Sequence, residues 1–334
     1  MPQISPDAKH IIISVNPKSG RTSSMPRAEE LRERLTAKKF TAEIATDLDY
    51  VGSTARALHA EGKLRALVGV GGDGTAAELV NRTEPLTPYA ILAAGNANLI
   101  AKYFRIGKSP ERLADLIEKG HTITLDAGRA NGRLFLVMIG VGFDGEVVKR
   151  VHANRMESYQ RGAKKGAHVT NLSYAKPIIQ AICQYKYPKV TIEAYLAASP
   201  CEAISCASQG EAAKQVAQWI FISNLNTYGW GVPIVPAAKG NDGRLDHCLM
   251  RGGLIAGSIY TAFAQTGLHG CLPGVTLGQA VRYKLTASYP VEYQLDGDPG
   301  GQLPVEVEIV RSRLALIVPP EIDPTSPKAA KFGL

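Results

Sequence analysis

The chain has 334 residues, 45% of them hydrophobic and 20% charged, which excludes a disordered polymer and supplies cores for two domains. Lys and Arg number 38 against 30 Asp and Glu, and the net +8 suits an anionic partner, be it nucleotide, acidic membrane surface or nucleic acid. No run approaches the roughly 18 consecutive apolar residues of a spanning helix.

In chain order, His10 to Val15 (HIIISV) is continuous, β-branched and closed by Asn16-Pro17, the pattern of a buried strand. Leu31 and Leu35, at i and i+4, predict a helix over Ala28 to Lys39. A short strand over Ala42 to Thr46 follows, then a helix over Ser53 to Glu61 capped by Ser53 or Thr54. Leu64 to Val70 (LRALVGV) reads as a third strand running into glycines, and Thr75 to Asn81 as a helix. Tyr89 to Ala93 reads as a fourth strand and Asn98 to Phe104 as a fourth helix. Such alternation predicts a mostly parallel sheet covered on both faces.

After about Asp126 the texture turns β-rich. RLFLVMIGVGF, KVTIEAYL, QWIFISN, LDHCLM, YKLTAS, VEYQLDGD and VEVEIV are separated by Gly, Pro and Asn turns. They predict an antiparallel domain with one or two helices, around Asn171 to Gln184. Leu314 to Val318 is another buried run and is expected to return to the first sheet. The predicted division is an α/β domain over 1–127, completed by 313–334, and a β-rich domain over 128–312. Lys149, Arg150, Arg155, Arg161, Lys164 and Lys165 crowd together with Glu157 as their one acid, which reads either as a solvated loop or as a face turned to an anion or membrane. The five cysteines include no CxxC pair, and MPQISPDAKH lacks a signal peptide's apolar core; both predict a cytoplasmic protein that at most visits a membrane surface.

The sharpest local signal is Gly71-Gly72-Asp73-Gly74-Thr75 between a strand and a helix. Glycines there admit a phosphate to the backbone, and the helix start adds N–H donors. An aspartate beside phosphate calls for a Mg²⁺ between them. Gly69, Gly71 and Gly74 also satisfy GxGxxG, but a dinucleotide fold places that motif after its first strand, not its third. Two further polar loops, Asn16-Pro17-Lys18-Ser19-Gly20-Arg21 and Gly95-Asn96-Ala97-Asn98, leave strand ends in the same half. In a parallel sheet all three gather on one edge, where a nucleotide binds.

VNPKSGR, GGDGTAAELVN, AAGNANLIAKYF, TLDAGRANGRLFLVMIGVGFDGEVV, NLNTYGWGVPIVPAAKGNDGRLD and VEYQLDGDPG, in this order, resemble the diacylglycerol kinase catalytic-domain family, which includes bacterial lipid kinases and sphingosine kinases. The resemblance runs from Ile11 to about Pro319. It implies a lipid kinase with a nucleotide domain like that of NAD kinase, ATP as donor, Mg²⁺, a lipid substrate met at a transient membrane surface, and a homodimer. It implies Asp73 on the catalytic Mg²⁺, Asp296 as general base and Asp126 in the acidic network near the metal. Asn16, Pro17, Ser19, Gly20, Arg21, Thr46, Gly71, Gly72, Gly74, Thr75, Glu78, Gly95, Asn96 and Asn98 would frame the nucleotide. Lys239 and Arg244, through carbonyls, and Asp242, through its carboxylate, would hold a separate structural Mg²⁺. The acceptor would enter a cleft lined partly by Met138 to Phe143.

From the residues alone, Asp296-Gly297 is a hairpin turn; the resemblance adds the catalytic reading, and the two are compatible. Departures from the family pattern are Asn96 for Thr or Ser, Leu99 for a second acid, Asp298 for Glu, Asn241 for Asp, and an insert over 197–215. They motivate an alternative, a non-catalytic nucleotide or lipid sensor. A second alternative, an NAD kinase-like enzyme, wants Asn-Glu soon after GGDGT, whereas Asn81 is followed by Arg82-Thr83-Glu84. No nucleic-acid module is recognised, so no nucleic-acid partner is expected.

Overall fold

The computed structural model describes residues 4–15, 24–95, 97–160, 184–196 and 212–322. The first part alternates as the sequence predicts: β1 His10–Val15, α1 Ser24–Ala37, β2 Thr41–Ala45, α2 Leu48–Ala60, β3 Leu64–Gly71, α3 Asp73–Val80, β4 Pro88–Ala93, α4 Leu99–Tyr103 and α5 Pro110–Lys119. Strands β2, β1, β3 and β4 lie side by side in parallel. β3 and β4 are buried along their whole length, as runs covered on both faces must be.

Helix α2 starts earlier than Ser53. Its cap is Asp47, whose Oδ1 accepts from Asp49 N at 2.9 Å and Tyr50 N at 2.8 Å. Ser53 instead bonds back to the carbonyls of Asp49 and Tyr50 within the helix. Helix α5, missed in the sequence, is well punctuated: Ser109 caps Arg112 N, Pro110 stands at the first turn, and Gly120 ends it at φ +66°.

The rest is β5 Thr122–Ala130, β6 Arg133–Phe135, β7 Met138–Gly142, α6 Phe143–Gln160, β8 Val190–Tyr195, β9 Ala212–Ala217, β10 Trp219–Ser223, β11 Leu245–Met250, α7 Leu254–Ala264, β12 Val275–Ala280, β13 Arg282–Ala287, β14 Glu292–Leu295, β15 Asp298–Gln302 and β16 Val305–Ile317. A six-stranded sheet in the order β12-β11-β10-β7-β14-β15 is antiparallel throughout. The molecule is thus a mostly parallel α/β sheet joined to a β-rich antiparallel part. Its two halves share β16: Ala315 and Leu316 pair in parallel with Pro88 and Tyr89 of β4, while Val305 to Glu308 pair with β13. Hydrogen bonding therefore runs without a break from β2 through β16 to β8 and β9.

Three expectations change. RLFLVMIGVGF is two short strands followed by a helix start, not one strand. The basic segment from Lys149 is helical as far as residue 160, because Val147 and Val151 bury one face of α6; Lys149 pairs with Glu292 at 2.6 Å and Arg150 with Glu146 at 2.6 Å. β7 is the centre of its sheet, with Met138 in one core and Ile139 and Val141 in the other, so of the segment Met138 to Phe143 expected to line the cleft, Met138 to Gly142 are buried and only Phe143 is half-buried. The helix expected around 171–184 lies outside the described residues, apart from Gln184.

Candidate active site

Four strand ends meet on one edge of the parallel sheet. β3 ends at Gly71 and α3 begins at Asp73, so the turn between them is Gly72 alone. A Cβ on Gly95 would stand 2.5 Å from Gly72 Cα, so the loops after β3 and β4 touch backbone to backbone, which only paired glycines permit. Thr75 packs over Gly71 and donates its N–H to Gly72 O at 3.1 Å. No side chain caps α3, which leaves first-turn N–H donors for an anion. Thr46 is exposed at the end of β2, on the same edge.

Asn98, at φ +49°, folds its amide back on its own loop: Oδ1 accepts from Gly95 N at 3.0 Å and Nδ2 donates to Gly95 O at 2.7 Å. Its side chain shapes the loop. Glu78 of α3 forms an ion pair with Arg82, just past the end of that helix. Asn16, Pro17, Ser19, Gly20, Arg21 and Asn96 lie outside the described residues.

Asp73 is buried. Its Oδ2 accepts from Leu99 N at 2.9 Å and its Oδ1 from Ile100 N at 3.1 Å, so the carboxylate also starts α4. Burial pushes its pKa up and those N–H groups pull against the rise. Leu99 serves here through its backbone, which a side-chain change leaves intact.

Asp296 arrives from the antiparallel sheet. Asp296 and Gly297, at φ +51° and +88°, form the two-residue turn between β14 and β15. The carboxylate accepts from Leu136 N at 2.7 Å, Val137 N at 2.9 Å and Met138 N at 2.9 Å. Burial, with a contribution from the charge of Asp73, raises its pKa to about 6 against those bonds, so the two carboxylates lie within each other's field. Asp298 begins β15, and a Cβ on Gly74 would stand 2.8 Å from its Oδ2. Three carboxylates from two sheets thus converge beside the glycine loop: Asp73, Asp296 and Asp298.

Asp126 is held by a different set of partners. Its Oδ2 accepts from Gly243 N at 2.8 Å and its Oδ1 from Ser312 N at 2.7 Å, at the bulge where β16 changes register. It raises the pKa of its neighbour Asp242, after burial, and it is joined by no hydrogen bond to Asp73 or Asp296. Asp242, with Oδ1 on Arg244 N at 3.0 Å, stands near Lys239 and Asp246. Asp246 was missed in the sequence. Burial, then the charge of Asp242, raises its pKa to about 6, and its buried Oδ2 has no hydrogen-bond partner.

No cluster of three or more His, Cys, Asp or Glu side chains at metal-ligand spacing occurs among the described residues. The donors at Asp73 fit Mg²⁺ only in the manner usual for that ion, one or two carboxylates with water and phosphate oxygens completing the shell. The orphaned Asp246 Oδ2 beside Asp242 is a buried negative group that a cation nearby would compensate.

The profile of the diacylglycerol kinase catalytic domain matches residues 10–130, and that of the YegS C-terminal NAD kinase beta sandwich-like domain matches residues 137–318. A diacylglycerol kinase of Bacillus subtilis is 23% identical over 321 residues, covering 94% of this chain and 97% of its own. One from Staphylococcus epidermidis is 26% identical over 273 residues, covering 80% of this chain and 78% of its own. Among solved structures, a diacylglycerol kinase from Bacillus anthracis superposes with a TM-score of 0.67 at 20% identity, over 94% of this chain and 98% of its own. An NAD kinase from Archaeoglobus fulgidus in complex with ATP gives 0.51 at 9% identity, over 97% and 99%; these two likenesses are of fold.

Proposed function

We propose, because this chain belongs to the diacylglycerol kinase catalytic-domain family and carries that family's YegS-type C-terminal domain, that it is a lipid kinase. In this reading it transfers the γ-phosphoryl group of ATP to a hydroxyl of diacylglycerol, a sphingoid base or a related lipid. The observation that carries it is the meeting of Asp73 and Asp296, delivered by different sheets to the edge where the glycine loops open.

The roles follow from chemistry. An alcohol is a poor nucleophile and needs a base near its hydroxyl. Asp296 is a carboxylate with a pKa raised to about 6, so it stays ionised at neutral pH yet is basic enough to take a proton. Three backbone N–H groups hold it still, and it keeps part of its surface open. Gly72, Gly74 and Thr75, with Gly95 pressed against Gly72, present backbone to the donor's phosphates. Asp73 would hold Mg²⁺, which when bound neutralises phosphate charge. Lys239, Asp242 and Arg244, with Asp246 behind them, would hold the structural cation.

A lipid acceptor fits the surface of the antiparallel half. α7 (LIAGSIYTAFA) carries no charged residue and exposes Ile255, Ile259 and Phe263 at i, i+4 and i+8. A groove of about 790 Å³ beside it is lined by Leu254, Ile255, Ala256, Ile259, Tyr260 and Leu272 among others. Such a face suits passing contact with lipid. No helix among the described residues is long and apolar enough to cross a membrane.

The test is transfer from labelled ATP with Mg²⁺ to a panel of diacylglycerol, sphingosine and NAD, the lipids in mixed micelles. Label in one lipid class supports the reading. Label in NAD, or in nothing while ATP still binds, overturns it.

A further inference from the structure

Asp144, in the first turn of α6, is a buried carboxylate with no part in the reading above. Its Oδ1 accepts from the Tyr228 hydroxyl and its Oδ2 from Gln294 Nε2 at 2.9 Å. Gly140 lies directly beneath it, with no room for a side chain. Gln294 is itself 2% exposed, and its Oε1 accepts from Gly297 N at 2.7 Å. One buried amide therefore spans from Asp144 to the turn that carries Asp296.

An amide has a donor end and an acceptor end. Gly297 N can only donate, so it demands the oxygen of Gln294. The oxygen of Asp144 accepts, so it demands the nitrogen. With water excluded, the carboxylate of Asp144 decides which way the amide points, and the opposite orientation would set two donors against each other at Gly297. The N–H groups of residues 136–138 hold the carboxylate of Asp296 but not the backbone of its turn. The first residue of the turn is fixed by Asp296 N donating to Met138 O at 3.0 Å, and its second by the Gln294–Gly297 bond. Tyr228 adjoins the 3₁₀ turn Gly229–Gly231, which packs on α4, the helix that Asp73 caps, so the same carboxylate reaches toward the Asp73 side.

We propose that Asp144 is a positioning residue for Asp296, acting through the Gln294 amide on the Asp296-Gly297 turn. The proposal rests on the reading of Asp296 as the base. Its rival is a plain tether, in which Asp144 fastens α6 to the sheet and the aim of Asp296 does not depend on it.

The test reads both catalysis and a probe independent of catalysis. In Asp144→Asn the new side chain can donate to Gln294, which frees the glutamine to turn over. Transfer from labelled ATP to diacylglycerol in mixed micelles should fall about 10- to 100-fold in kcat, with the KM for ATP within about twofold. Hydrogen exchange at the Gly297 amide should speed at least about tenfold while core amides keep their protection. The double variant Asp144→Asn with Gln294→Glu restores a donor facing an acceptor at one end and an acceptor facing Gly297 at the other. It should recover most of both losses. If Asp144→Asn fails to fold, Gln294→Met keeps the volume, removes the same bond to Gly297 and should show the same two effects. Unchanged exchange at Gly297 in these variants, or a double variant no better than the single, overturns the proposal in favour of the tether. Should Asp296→Asn keep full turnover, the base reading fails instead, and the exchange data still decide what holds the turn.

Discussion

Two groups of aspartates can be set side by side. Asp73 and Asp296 each accept backbone N–H groups, two and three respectively, and the charge of Asp73 reaches Asp296 beside the glycine loops. Asp126 also accepts two backbone N–H groups, but from Gly243 and Ser312, where a loop and a bulged strand cross. The hydrogen-bond pattern is nearly the same in both. The difference lies in what the oxygens face. At the first group two sheets bring carboxylates together beside an anion-binding turn; at the second the bonds close a junction of the fold. Backbone bonding alone thus does not mark a catalytic aspartate, and neither does a second carboxylate in its field, which Asp126 has in Asp242; what sets the first group apart is the glycine turn beside it.

The largest effect that would break this contrast is at Asp73. Asp73→Ala should lower turnover about 10²- to 10⁴-fold, measured by labelled ATP transfer. The protein should remain folded, since the two N–H groups left unpaired cost about 1–3 kcal/mol each and removing a buried carboxylate offsets part of that. Retained turnover would place Asp73 with the structural group.

Next is the pH response. A base must be ionised, and burial raises Asp296 to about 6. The rate should be level above that value and fall about tenfold per unit as pH drops below it. A cation at Asp73 offsets the negative field there and moves the limb to lower pH, so the limb should shift with Mg²⁺ concentration. A flat kcat/KM profile from pH 8 to 5 would contradict the assignment.

Asp126 sharpens the comparison from the other side. Asp126→Ala leaves two buried N–H groups unpaired, at about 1–3 kcal/mol each. The melting temperature should fall by about 2–4 °C for each kcal/mol lost, while kcat per folded molecule changes little. Full stability with lost turnover would move Asp126 into the catalytic group. Smallest of all, Ile255→Glu on α7 should raise the KM for vesicle-borne diacylglycerol a few-fold and leave the KM for ATP unchanged.

How much of this was legible in the sequence depended on how local the signal was. HIIISV and LRALVGV announce buried parallel strands by composition, and GGDGT marks its own turn, so the parallel half reads well residue by residue. The resemblance supplied what locality could not: Asp296 finds its three donors 158 to 160 positions away in the chain. Asp126 finds its partners 117 and 186 positions away, and neither spacing nor residue type announced that junction. α6 was missed because its buried face rests on few apolar positions, Val147 and Val151 among them, amid basic residues that suggest a loop. Asp47 is hard to see as a cap because the residues after it, Leu48-Asp49-Tyr50-Val51, lack obvious helical periodicity, whereas Ser53 and Thr54 invite the role. Asp144 and Gln294 carried no signal at all, because their bond joins α6 to β14 across 150 positions.

The most direct test of the central claim is the turnover of Asp296→Asn, measured as transfer from labelled ATP to lipid alongside its affinity for ATP. The account predicts a loss of about 10²- to 10⁴-fold in kcat with ATP affinity held within a few-fold. Turnover within tenfold of the wild-type chain would contradict it and leave Asp296 as a hairpin turn and nothing more.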